Sequence, residues 1–114
     1  MASMTVNINV RPGFGADVNA ACRRALEICG GKAETYAKLR CPVDTGNLQN
    51  SITHQPDGDR AVVIGTPVEY APYVELGHHT TTGRFVAPRP YLLPALEEHV
   101  SEYEQVIKSE LSKL

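Results

Sequence analysis

The last third of the chain sets the tightest limit on its fold. From Pro94 onward, Leu96, Val100, Tyr103, Ile107, Leu111 and Leu114 recur at steps of 4, 3, 4, 4 and 3, and Leu93 extends the series backward by three. That is the period of one helix face. Glu97, Glu98, Glu102, Glu104, Lys108, Glu110 and Lys113 fill the other face. The spacing predicts one amphipathic helix of about 21 residues, ~31 Å long, packed on a sheet as core. A second stripe lies near the start: Val18, Cys22, Ala25, Cys29, Ala33, Tyr36 and Leu39, with Asp17 as the expected N-cap. Gly30-Gly31 interrupts it, at about 1 kcal/mol per glycine relative to Ala. The pair reads as a bend or break, or as a point where the backbone comes close to a strand or a neighbouring subunit.

Strand signals lie between and before the helices. Thr5 to Val10 alternates, with Val6, Ile8 and Val10 against Thr5, Asn7 and Asn9, and Arg11-Pro12-Gly13 ends the run. Arg60 to Gly65 is a second strand, led by the turn Pro56-Asp57-Gly58-Asp59, so a hairpin covers about 51–66. Leu48 and Ile52 mark a short helix starting near Asp44 or Thr45. Tyr70 to Leu76 marks another, with Pro72 in its first turn and Gly77 past its end. Residues 77–90, which include His78-His79, read as a long polar loop that is functional or mobile. The expected fold is α+β: a small antiparallel sheet packed against two long helices, N-terminal and C-terminal, with short helices in the middle. At 114 residues it is a single domain, 1–114, in which Met4 could be the natural start and residues 1–3 a cloning remnant.

Several function classes are disfavoured. No run approaches the ~20 apolar residues of a membrane span, and the N-terminus lacks the pattern of a secretory signal. A net charge of −2 argues against a sequence-specific nucleic-acid binder. The charge is uneven, though. Residues 1–40 hold six basic and three acidic side chains, which leaves the remainder acidic. Two solvated faces of opposite sign would explain this; so would head-to-tail self-association. Cys22, Cys29 and Cys41 are an odd count without a C-x-x-C, and they read as reduced thiols serving as small apolar residues in a protein made in the cytosol.

The chemical inventory is thin. Nucleotide, serine-hydrolase and zinc-protease motifs are missing, and His78-His79 has no further ligand at metal spacing. We therefore expect no catalytic residues, no metal and no cofactor. Asp44-Thr45-Gly46 matches the D-T-G of aspartic proteases, which pair two carboxylates to activate water, and a homodimer could supply the pair. Against this, Arg40-Cys41-Pro42-Val43 precedes the Asp where an apolar strand belongs, and Pro42 fits poorly in a central strand. The structural alternative is a helix–turn–helix joint, with Pro42 stopping one helix and Asp44 or Thr45 capping the next.

Four blocks in order resemble one family. They are Pro42-Val43-Asp44-Thr45-Gly46-Asn47-Leu48-Gln49-Asn50-Ser51-Ile52, then Ile64-Gly65-Thr66, then Tyr70-Ala71-Pro72-Tyr73-Val74-Glu75-Leu76-Gly77, then Arg89-Pro90-Tyr91-Leu92-Leu93-Pro94-Ala95-Leu96. The set is similar to the neck, or minor tail-component, proteins of long-tailed bacteriophages. Asn47 and Gln49 stand where the family often has Arg, and the two loop histidines stand where Thr or Ser is commoner. The resemblance implies a non-enzymatic structural protein of the virion, at the head–tail junction or the head-proximal end of the tail, assembled in the bacterial host cytoplasm. It implies assembly as a homo-oligomeric ring, a hexamer being favoured, beside neighbouring neck and tail proteins, with DNA passing through the lumen. Tyr70, Tyr73, Phe85 and Tyr91 are then candidate interface anchors, although Tyr70 and Tyr73 suit a core equally well. His78, His79, Arg84 and Arg89 complete the candidate interface, on the loop expected to meet partners.

Overall fold

The computed structural model describes residues 2–7, 16–42 and 46–114. The first strand, β1, is Ala2–Asn7, and α1 is Ala16–Arg40. A short helix α2, Asn47–Ser51, leads into the hairpin of β2, Thr53–Pro56, and β3, Ala61–Thr66. Then come α3, Ala71–Leu76, the two-residue strands β4, His78–His79, and β5, Phe85–Val86, and the helices α4, Leu92–Glu97, and α5, Val100–Ser112. The architecture is α+β. A three-stranded antiparallel sheet of order β1-β3-β2 carries the helices, and β4-β5 form a separate ribbon.

The hairpin turns where Pro56-Asp57-Gly58-Asp59 predicts, with Asp57 N–H donating to Ala61 O at 2.9 Å. The first strand begins earlier than the alternation suggests, because its extent follows its partner: Ala2 to Asn7 pair in full with Thr66 to Ala61. Ile8, Val10 and the Arg11-Pro12-Gly13 stop lie outside the described residues.

The helix α1 runs unbroken through Gly30-Gly31, which excludes the break. Its inward face is built from small residues: Ala21, Cys22, Ala25, Cys29, Ala33 and Ala37 are all fully buried, and Leu26 is the one large buried member. Small side chains bring the axis close to the sheet. At Gly30 a Cβ would lie 2.7 Å from His54 on β2 and 2.8 Å from Val62 on β3, so close approach to a strand is the reason for this glycine. The stripe veers from expectation at its end. The buried positions continue through Ala37 and Cys41, while Leu39 is 76% exposed. Asp17 lies inside the first turn and is not the cap; there its charge suits the positive end of the helix.

The C-terminal helix is two pieces rather than one of about 21 residues. The break falls at Glu98-His99, and its cause is packing. The His99 ring lies flat on Tyr36 of α1, centroids 3.5 Å apart and planes within 4°. The Tyr103 hydroxyl donates to Ala95 O at 2.5 Å, satisfying a carbonyl at the end of α4. The break also splits the apolar stripe: Tyr103 is buried, whereas Leu93, Val100 and Leu114 are 42%, 50% and 59% exposed. All three cysteines are free and buried, and burial pushes the Cys29 thiol up to about 11, so it stays protonated and inert.

Candidate functional site

The short helix α3 has two faces. Ala71 and Glu75 point inward and are buried; Tyr70, Tyr73 and Leu76 are 42%, 57% and 74% exposed. Tyr70 and Tyr73 are therefore surface and not core. Tyr91 is the correction in the other direction. It is wholly buried, its hydroxyl reaches Ala71 O, and burial raises its pKa far above that of an ordinary phenol. It packs in the core and cannot anchor a partner.

Residues 77–90 are an ordered finger more than an irregular loop. His78 pairs with Val86 and His79 with Phe85. At the tip, Thr80 N–H donates to Arg84 O at 2.8 Å, Gly83 N–H to Thr80 O at 2.9 Å, and Arg84 N–H to the Thr80 hydroxyl at 3.2 Å. The His79 and Phe85 rings lie 5.2 Å apart on the ribbon, and those of Tyr73 and His78 5.7 Å apart between ribbon and helix. Phe85 is 56% exposed. His78 Nδ1 is buried and has no hydrogen-bond partner among the described residues.

The base of the finger is pinned. Gly77 has φ +77°, and a Cβ there would lie 2.8 Å from Val86 O and 2.9 Å from Pro88 N, so only glycine lets the two limbs close. Arg89 N–H donates to Val74 O at 2.8 Å. The buried Glu75 carboxylate accepts from Tyr91 N–H at 3.1 Å, Leu92 N–H at 2.9 Å and Leu93 N–H at 3.5 Å, which caps the start of α4 from a different helix. This contact joins the Tyr70–Gly77 block to the Arg89–Leu96 block.

A second joint holds the Ser51 and Thr66 blocks together. Ser51 Oγ donates to Leu48 O at 2.7 Å and lies 2.5 Å from Thr66 Oγ1, which accepts from Val68 N–H at 3.2 Å. One hydroxyl proton each fixes the direction: Thr66 donates to Ser51. Asp44 and Thr45 lie outside the described residues. What surrounds them is the end of α1 at Arg40 and the left-handed Gly46 that opens α2. The described residues on the two sides of the motif belong to helices, and none immediately before it forms the apolar strand that the protease reading needs. Among the described residues no group of three His, Cys, Asp or Glu could hold a metal, and no helix is long and apolar enough to cross a membrane.

The uneven charge is largely used inside the subunit. Arg23 pairs with Asp59, Arg24 with Glu110, Lys32 with Glu102 and Arg40 with Glu98, so the basic α1 meets acids of the later chain. Tyr36 also donates a very short hydrogen bond to Glu102; that bond, then the one from Lys32, holds the Glu102 carboxyl below its usual pKa. For α1, head-to-tail charge matching within one chain accounts for the asymmetry.

Geometry brings Tyr70, Tyr73, Leu76, His78, His79, Arg84 and Phe85 onto one continuous part of the chain, and Arg89 sits at its base. Leu76 was not among the residues singled out from sequence. Its step of three from Tyr73 and six from Tyr70 was the available signal, since it puts all three on one helix face. Comparison with known proteins adds one match. A family model described as “Bacteriophage HK97-gp10, putative tail-component” covers residues 12–77, which takes in α1, the Asp44-Thr45-Gly46 joint, the hairpin and α3, and stops where the finger begins. No curated protein and no solved structure matches the chain. With more than half of its length matched, the chain belongs to the HK97-gp10-like family of bacteriophage tail components.

Proposed function

We propose that the chain is a structural component of the phage neck, placed at the head–tail junction or the head-proximal end of the tail, and that it acts by assembling into a ring. The observation that carries this reading is the exposed aromatic surface of α3 and the finger. Tyr70, Tyr73 and Phe85, together with Leu76, are held outward on a pinned scaffold. Monomers that act alone rarely present several large apolar side chains on one segment, and Tyr is favoured at interfaces because it adds contact area at low entropic cost. The partners are further copies of this chain, a hexamer being favoured, and the neighbouring neck and tail proteins. His78, His79, Arg84 and Arg89 would flank that contact. DNA would pass through the lumen without sequence-specific contact, in keeping with a chain of net charge −2. Assembly would take place in the host cytoplasm.

The test is genetic. Deleting the gene should abolish tail attachment and the yield of infectious particles. Wild-type protein supplied in trans should restore both, and a Tyr73→Ser, Phe85→Ser double variant should not. Unchanged yield and tail attachment after deletion would refute the role.

A further inference from the structure

Charge and exposure together single out a donor and an acceptor surface on the same subunit. Six basic side chains, Arg23, Arg24, Lys32, Lys38, Arg40 and Lys113, are ion-paired within the subunit. Arg84 has no such partner among the described residues, and it adjoins Phe85, which is 56% exposed. Glu97 and Glu104 also lack one, and they flank Leu93 and Val100, which are 42% and 50% exposed. Leu93 and Glu97 stand one turn apart on α4, and Val100 and Glu104 one turn apart on α5, so each helix pairs an exposed apolar side chain with an acid on one face. Residues 77–90 carry two arginines and no acid; residues 91–114 carry five glutamates and two lysines. The minor charges match as well. Glu69 adjoins Tyr70 on the donor side, and Lys108 lies one turn past Glu104 on the acceptor side. Ile28, another exposed apolar side chain, lies between α1 and α5 and is flanked by Lys32 and Glu110, whose charges are already paired internally.

We propose that the finger and outer α3 face of one copy, through Tyr73, Leu76, Arg84 and Phe85, seat on the α4–α5 ridge of a second copy, formed by Leu93, Glu97, Val100 and Glu104. The occupant of the ridge is thus another copy of this chain. The inference deepens the self-assembly reading and rests on it. The two surfaces share no residue, so the contact is heterologous, and its repetition generates a ring where the rotation closes. The subunit is 57 Å long and only 21 × 20 Å across, which suits a body that reaches its neighbour end-on. Arg84 facing Glu97 and Glu104 fixes the register, and Phe85 covers the apolar gap between them.

The test uses two full-length variants, each lacking one surface. Arg84→Glu with Phe85→Ser removes the finger face. Val100→Ser with Glu104→Lys removes the ridge face. All four side chains are exposed, so wild-type circular dichroism and melting are expected of both. In sedimentation equilibrium each variant alone should associate at least ~10-fold more weakly than wild type. An equimolar mixture should give a species of twice the 12.4 kDa chain mass and nothing larger, because one intact contact remains. A single chain carrying Arg84→Glu, Glu97→Lys and Glu104→Lys should regain assembly. If wild type assembles and the ridge variant assembles equally well, or the mixture stays monomeric, the contact is wrong while self-assembly stands. If wild type is monomeric at every concentration, both fall.

Discussion

Two adjacent glycines should respond to the same substitution with opposite signs. The helix α1 is continuous through Gly30 and Gly31, and each gives up about 1 kcal/mol relative to Ala. A methyl group at Gly31 would meet no atom within 4 Å. Gly31→Ala should therefore stabilise the protein by close to that ~1 kcal/mol. A methyl group at Gly30 would lie 2.7 Å from His54 Cδ2 and 2.8 Å from Val62 Cγ2. Neither neighbour retreats easily. The His54 ring is held at both nitrogens, by Glu27 at 2.8 Å and Glu34 at 3.2 Å. Val62 is 1% exposed and stiff at χ1. Overpacking costs ~1–3 kcal/mol, and two contacts inside 3 Å argue for the upper end. Less the helix gain, Gly30→Ala should lose about 2 kcal/mol. In a domain of this size 1 kcal/mol moves Tm by roughly 3–5 °C, so the two variants should melt about 10 °C apart on either side of wild type. Thermal and urea unfolding of the pair would measure this. If both variants gain stability, α1 does not approach the strands at Gly30. If both lose, the helix is not continuous there.

Three further outcomes follow from the joints. Glu75→Ala strands the N–H groups of Tyr91, Leu92 and Leu93 and should cost about 2–4 kcal/mol in urea unfolding, whereas Glu75→Gln keeps the acceptor for the two shorter bonds and should cost about 1 kcal/mol. Gly77→Ala places an L residue at φ +77° against backbone atoms of the opposite limb, so amide exchange at Thr80, Gly83 and Arg84 should speed up at least ~10-fold while α1 and the sheet keep their protection. Burial opposes a charge on His54, but its hydrogen bonds to Glu27 and Glu34 outweigh that and raise its pKa above 6.5. The bonded imidazolium then contributes stability that is complete below pH 6.5 and fades as pH rises through the raised value. His54→Gln should flatten that alkaline-side loss in a series of melts, and an unchanged slope would refute the assignment.

Much of the fold was legible in the sequence because period and turn chemistry are local. The Pro56-Asp57-Gly58-Asp59 turn, the short helix closed by Gly77 and the α1 stripe all follow from neighbours within a few residues. The misses share a different origin. The helix break at Glu98-His99 comes from a ring stacked on Tyr36, more than sixty residues away in sequence. Tyr91 and Tyr73 have similar local surroundings, yet one is enclosed by α3 and the other looks outward. Leu39 follows Ala33 and Tyr36 at successive steps of three, which drift round the helix, while the buried face advances by fours through Ala33, Ala37 and Cys41 and leaves Leu39 on the opposite side. The Glu75 cap was hidden because a carboxylate sixteen residues upstream serves as the helix's N-terminal acceptor. The charge imbalance was visible, but its pairing inside the subunit required the packing of α1 on α5.

Mass in solution tests the central claim most directly. Light scattering over a wide concentration range should show wild type growing toward a six-fold species, six times 12.4 kDa or about 74 kDa. Higher salt should weaken that growth, because exposed charges steer the contact. Tyr73→Ser with Phe85→Ser should hold the chain at monomer mass with an unchanged melting temperature. A chain that stays monomeric at every concentration, or a tight dimer indifferent to those two substitutions, would contradict assembly through the α3–finger surface.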